Sequence, residues 1–139
     1  MLSPDRNKHI IQESIQTVWR NHNLAALPNF WRDDCINHAM PATCNRGLAA
    51  LHAYHEQFLV NFSAFSDIHI EIMQQIAEGD RVVTHLVTRG KHTGLFRNLS
   101  PTAKTVVIST IRIDRIQDGK IAEHWSVSDL AGLMQQLQC

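Results

Sequence analysis

Thirteen lysines and arginines balance thirteen aspartates and glutamates along 139 residues, 44% of which are hydrophobic. That length supplies one substantial core and a single domain, 1–139. No Lys/Arg run is present, so the sequence-independent attraction on which nucleic-acid and anionic-membrane binding rests is missing, and neither partner is expected.

The opening Met1-Leu2-Ser3-Pro4-Asp5-Arg6 turns polar at once, and no apolar stretch of signal-peptide or transmembrane length follows, which predicts a cytoplasmic protein. Cys35, Cys44 and Cys139 are odd in number and irregularly spaced. They are read as reduced thiols rather than a disulfide framework or a metal clip.

Ser3 can cap a helix, Pro4 suits its first position and Asp5 its positive end. Ile11, Ile15, Val18 and Trp19 then recur at helical spacing, so a first helix runs to Trp19 with an apolar face that something must cover. After a break at Asn21-His22-Asn23, Leu24 to Leu27 opens a short second helix carrying Phe30 and Trp31. Pro28 limits or bends it by removing a backbone donor. Cys35 to His38 predicts a brief strand, and Pro41 and Gly47 frame the loop beyond it. From Leu48 to Phe62, the residues Leu51, Tyr54, Phe58, Leu59 and Phe62 fall at three- and four-residue steps, giving a third, amphipathic helix.

The period then changes. Ile68, Ile70 and Ile72 alternate with His69 and Glu71 as in a half-buried strand. Glu78-Gly79-Asp80 marks a turn, and Arg81 to His92 and Lys104 to Arg115 read as two long strands rich in Val, Thr and Ile. Asp118-Gly119 supplies a tight hairpin into a last strand, Lys120 to Ser128, after which Asp129 caps a short terminal helix. Helices first and antiparallel strands second indicate an α+β domain whose helices cover one face of a curved sheet and leave a pocket inside.

From Glu78-Gly79-Asp80-Arg81-Val82-Val83 onward the chain resembles the SnoaL-like polyketide cyclases, also called ester cyclases, of the nuclear transport factor 2-like superfamily. The likeness continues through Gly90 to Gly94, Pro101-Thr102, the run from Ile113 to Trp125, and Asp129 to Leu137. Val18-Trp19, Asn23-Leu24, Asp34 and Asn37-His38 follow the first-half pattern. The resemblance implies a cone-shaped, mostly antiparallel sheet with three N-terminal helices on its concave face, a homodimer, and cofactor-free ring closure by an intramolecular aldol reaction. It also implies an Asp as general acid/base, a position occupied here by Ser126. The family's pocket His falls at Arg112, an Asn on the long helix at Tyr54, and an aromatic on the first helix at Trp19.

A Ser cannot take over the proton of that Asp. His124 shares a strand face with Ser126 and titrates near neutral pH, so it is a candidate replacement, the alternative being a histidine satisfied by a structural hydrogen bond. His38 is a second candidate, at the presumed mouth or on a loop edge. Arg112, between Ile111 and Ile113, either meets an anionic or enolate ligand or pairs with Asp114 or Glu123 on an exposed face or at a dimer contact. Trp19, Trp31, Tyr54 and Phe58 form an aromatic wall for a small hydrophobic ligand or ordinary core. His85 and His92 read as polar-face residues of a sheet packed on a second subunit, and no His-Glu-x-x-His or tight Cys/His group suggests a metal. The expected function is a cofactor-free cyclase or isomerase acting on a small hydrophobic carbonyl or ester compound. The competing reading is a non-catalytic module that binds a small molecule or dimerises.

Overall fold

The computed structural model describes residues 3–139; Met1 and Leu2, part of the polar opening read against a signal peptide, lie outside them. The first helix, α1 (Pro4–Ser14), starts where Ser3 Oγ accepts the Arg6 N–H at 3.2 Å. The spacing predicted an unbroken helix to Trp19. Instead Ile15–Arg20 widens into a π turn, with the Asn21 N–H reaching the Gln16 carbonyl at 3.0 Å. Ile11, Ile15 and Val18 remain buried through the widened turn, so apolar spacing alone does not reveal it. Such turns recur at functional sites, and this one carries Trp19.

A four-residue helix, α2 (Leu27–Phe30), leads directly into β1 (Trp31–Asn37). Trp31 therefore begins a strand rather than closing a helix: its backbone is extended and its ring is 3% exposed in the core. The long helix α3 (Gly47–Phe62) follows, then β2 (Phe65–Glu78), β3 (Arg81–His92), β4 (Thr105–Gln117), β5 (Lys120–Ser128) and α4 (Leu130–Gln138). Asp118 and Gly119, with φ of 53° and 78°, supply the two left-handed residues that a type I′ hairpin between β4 and β5 requires. Asp129 Oδ1 accepts the Gly132 N–H at 2.9 Å and so caps α4.

The five strands form one curved, unclosed sheet in the order β1-β5-β4-β3-β2, antiparallel except for the β1·β5 pair. The main core joins Ile11, Ile15 and Val18 of the first helical segment to Leu51 of α3 and to Val82 and Ile121 of the sheet. A smaller cluster at the other end holds Ala64, Phe96, Val106, Leu133 and Leu137, tying the β3–β4 loop and α4 to the sheet. The helices lie on the inner face, and the outer face is bare enough to leave Ile76, Ile111 and Val127 exposed. Among the described residues no helix is long and apolar enough to cross a membrane.

Candidate functional site

Strand alternation builds the polar half of the site. Thr110, Arg112 and Asp114 of β4 stand across from Ser128, Ser126 and His124 of β5, all six on the inner face. Asp114 is fully buried. It accepts two hydrogen bonds from Arg112, Nε to Oδ2 at 2.7 Å and Nη2 to Oδ1 at 3.0 Å, and one from His124 Nδ1 to Oδ1 at 2.7 Å. Burial would raise the Asp114 carboxyl, but the Arg112 and His124 partners outweigh it and hold it at about 2. Burial also lowers the His124 pKa, with Asp114 pulling the other way. At neutral pH the group is thus carboxylate, guanidinium and neutral imidazole, a buried cluster without net charge. Donation from Nδ1 fixes the tautomer of His124 and leaves Nε2 as a base.

The helical segments and β1 supply the apolar half. The π turn brings Trp19, β1 brings Trp31, and α3 brings Tyr54, His55 and Phe58 around a cavity of about 80 Å³. His55 is 2% exposed, donates from Nδ1 to the Leu51 carbonyl at 2.9 Å, and stacks on Trp19 with ring centroids 4.7 Å apart. Burial depresses its pKa to about 4, so it too is neutral. Burial raises the Tyr54 phenol, against the pull of Ser126 and Arg112, and keeps it a proton donor. Trp31 sits edge-on to both histidines, 5.4 Å from His124 and 6.0 Å from His55.

Of the sequence-predicted residues, Trp19, Trp31, Tyr54 and Phe58 line this one cavity together with Arg112, His124 and Ser126. His38 does not. The parallel register sets it beside Trp125, one residue out of phase with His124, on the outer face. There its ring stacks on Trp125 at 4.7 Å and its Nε2 meets Glu123 at 2.8 Å. Arg112 pairs with Asp114, one of the alternatives the sequence left open, but in the interior instead of on an exposed face. His85 bonds Ser109 on the outer face, whereas His92, an odd number of residues further along the strand, is wholly buried and meets Thr102 at 3.0 Å. Sequence reasoning missed Asp114 and His55 as site residues. The signals were present: Asp114 lies two residues from Arg112, and His55 sits four after Leu51 on an apolar stripe. Among the described residues no three His, Cys, Asp or Glu side chains converge as a metal site requires.

The SnoaL-like polyketide cyclase family pattern matches residues 9–137. No curated protein sequence matches the chain. Among solved structures, it is similar to IdmH of Streptomyces antibioticus, a polyketide cyclase candidate, with a TM-score of 0.80 and 24% identity over 96% of this chain and 99% of that one. AclR of Streptomyces galilaeus, a hydroxylase candidate, is similar at a TM-score of 0.78 and 25% identity, over 98% of each chain. TsrD of Streptomyces laurentii gives 0.79 and 22%, over 99% and 98%. Different chemistries assigned to one architecture show that the fold leaves the reaction open.

Proposed function

The chain belongs to the SnoaL-like polyketide cyclase family, and on that premise we propose that its cavity is an active site for cofactor-free acid/base chemistry on a small hydrophobic carbonyl or ester compound, of cyclase or isomerase type. The observation that carries this reading is the 2.7 Å hydrogen bond from Nδ1 of His124, which lines the cavity, to Asp114 buried behind it. It gives an imidazole base with a fixed tautomer and a carboxylate to stabilise its protonated form.

In this reading His124 Nε2 takes a proton from the carbon beside a carbonyl. The electron pair of the broken C–H bond moves onto the carbonyl oxygen, toward the Tyr54 hydroxyl and the Arg112 guanidinium. In a cyclase the carbanion then attacks a second carbonyl of the same molecule, forming the ring bond, and the imidazolium returns its proton to the new alkoxide. In an isomerase the proton returns to a different carbon. His124 thus performs the role that the family gives to an Asp at the Ser126 position, and Asp114 acts through His124 as a positioning residue.

The test is hydrogen–deuterium exchange beside the carbonyl of a panel of alkyl and aryl ketones, followed by NMR in heavy water. The wild-type chain is expected to accelerate exchange for at least one ketone, and His124→Ala to lose about 10²–10⁴-fold of that acceleration with its fold intact. Unchanged exchange in the variant removes His124 from the mechanism. Absence of any acceleration leaves the non-catalytic binding module as the better reading. The bare apolar outer sheet face supports a homodimer as the working assembly.

A further inference from the structure

The inner cavity is small for a substrate. A cavity of about 80 Å³ is well below the roughly 150 Å³ that admits a benzene ring, so the space beside His124 takes a carbonyl head and little more. A second cavity of about 250 Å³ adjoins it, with Phe58, Phe62 and Thr88 belonging to both walls. Its remaining wall is mostly apolar, with Phe65 and Ile68 of β2, Val106 and Ile108 of β4, Phe96 of the β3–β4 loop and Leu133 of α4. Neither cavity alone reaches the roughly 300–1,000 Å³ usual for small-molecule sites, and the two together do.

Building on the active-site reading above, we infer that the ligand is an elongated molecule divided between the two cavities. A compact carbonyl head enters past Phe58, Phe62 and Thr88 to His124, and an apolar body of ring size or a medium alkyl chain stays in the outer cavity. The division of polar groups supports this assignment. Arg112, His124, Ser126, Thr110 and Ser128 all border the inner space, whereas Asn61, Arg89 and Arg97 are the polar side chains, besides the shared Thr88, that border the outer one. A compound without an apolar body therefore binds weakly, and one whose carbonyl is flanked by bulk on both sides does not reach His124.

The experiment is equilibrium binding of linear methyl ketones from 2-butanone to 2-undecanone, read by fluorescence of Trp19 and Trp31 at the inner cavity. In the wild type, affinity is expected to rise about fourfold per methylene until the outer cavity is full. Ile108→Trp narrows the outer cavity, and so does Leu130→Trp at a position that is 42% exposed and tolerant of bulk. In both variants the rise should stop several methylenes earlier, with 2-butanone affinity unchanged. A flat series in the wild type, or an undiminished rise in folded variants, overturns the inference. Because binding needs no turnover, the same series run on His124→Ala separates this result from that of the exchange assay.

Discussion

Asp114 is the residue on which the inner face depends, since two groups of positive or proton-donating character converge on its two oxygens. Asp114→Asn leaves the Arg112 guanidinium, 5% exposed, without a counter-charge, and removal of one partner of a buried pair costs about 3–5 kcal/mol. Replacing the pair by apolar residues of similar volume, Arg112→Met with Asp114→Leu, should restore most of that stability in urea denaturation, yet leave exchange activity lost because His124 has no orienting carboxylate. His55 makes a different statement. Its folded pKa of about 4 lies below the 6.5 of an unperturbed imidazole, so protons bind more readily to the unfolded chain. Stability is therefore whole above pH 6.5 and falls as pH drops toward 4, by about 3 kcal/mol at ~1.36 kcal/mol per pH unit. Asp114 adds nothing in that window, because its carboxylate loses stability only below its ordinary value of 3.8. His55→Phe should reduce the decline between pH 6.5 and 4 in urea titrations, leaving the share of His124, whose pKa burial also lowers; an unaltered decline would place it elsewhere. Both residues were readable only in part. Alternation set Asp114 beside Arg112, but not the depth to which curvature buries that face.

The elements show the same division between what spacing states and what packing adds. Arg81 to His92 and Lys120 to Ser128 are strands over the predicted residues, because alternation and turn residues are local signals that each strand carries itself. β2 runs from Phe65, three residues before the predicted Ile68, since its pairing to β3 extends to Phe65 opposite His92. The π turn and the early start of β1 likewise answer tertiary demands: Trp31 pairs with Ile121, and Trp19 packs on His55 and Phe58 of α3. α4 is held by side-chain bonds at both of its ends. Its cap on Asp129 is joined by Gln136, whose side chain takes both backbone bonds of Val107 at 2.8 and 2.7 Å, where β4 has run past the end of β5. Asp129→Ala should cost about 1 kcal/mol in urea denaturation. Because Leu133 borders the outer cavity, hydrogen exchange of the α4 amides should quicken with it; protection equal to that of the wild type would show that Gln136 and the leucines hold the helix unaided.

At the scale of the whole molecule, curvature explains why one face of the sheet encloses a cavity and the other is surface. Helices cover the concave side, so polar groups there are enclosed in pairs, while the convex side carries the other half of every strand's alternation. That half leaves three aliphatic side chains uncovered. Ile111 and Val127 stand opposite each other on β4 and β5, 44% and 76% exposed, and Ile76 on β2, 64% exposed, lies across from Val83. Arg81 over Trp125 at 5.2 Å, with His38, Glu123 and Arg115, forms a polar border at one end. We propose that this face, with uncovered aliphatic side chains and a charged border, is a subunit interface; a face that meets its own copy must be self-complementary about a two-fold axis. Light scattering should therefore give twice the 15.8 kDa mass of the chain. Ile111→Glu with Val127→Glu places like charges against each other across the axis without touching the inner cavity, and should yield a folded monomer that still binds 2-butanone. A wild-type monomer would refute the homodimer, and a double variant that remains dimeric would move the interface to another face.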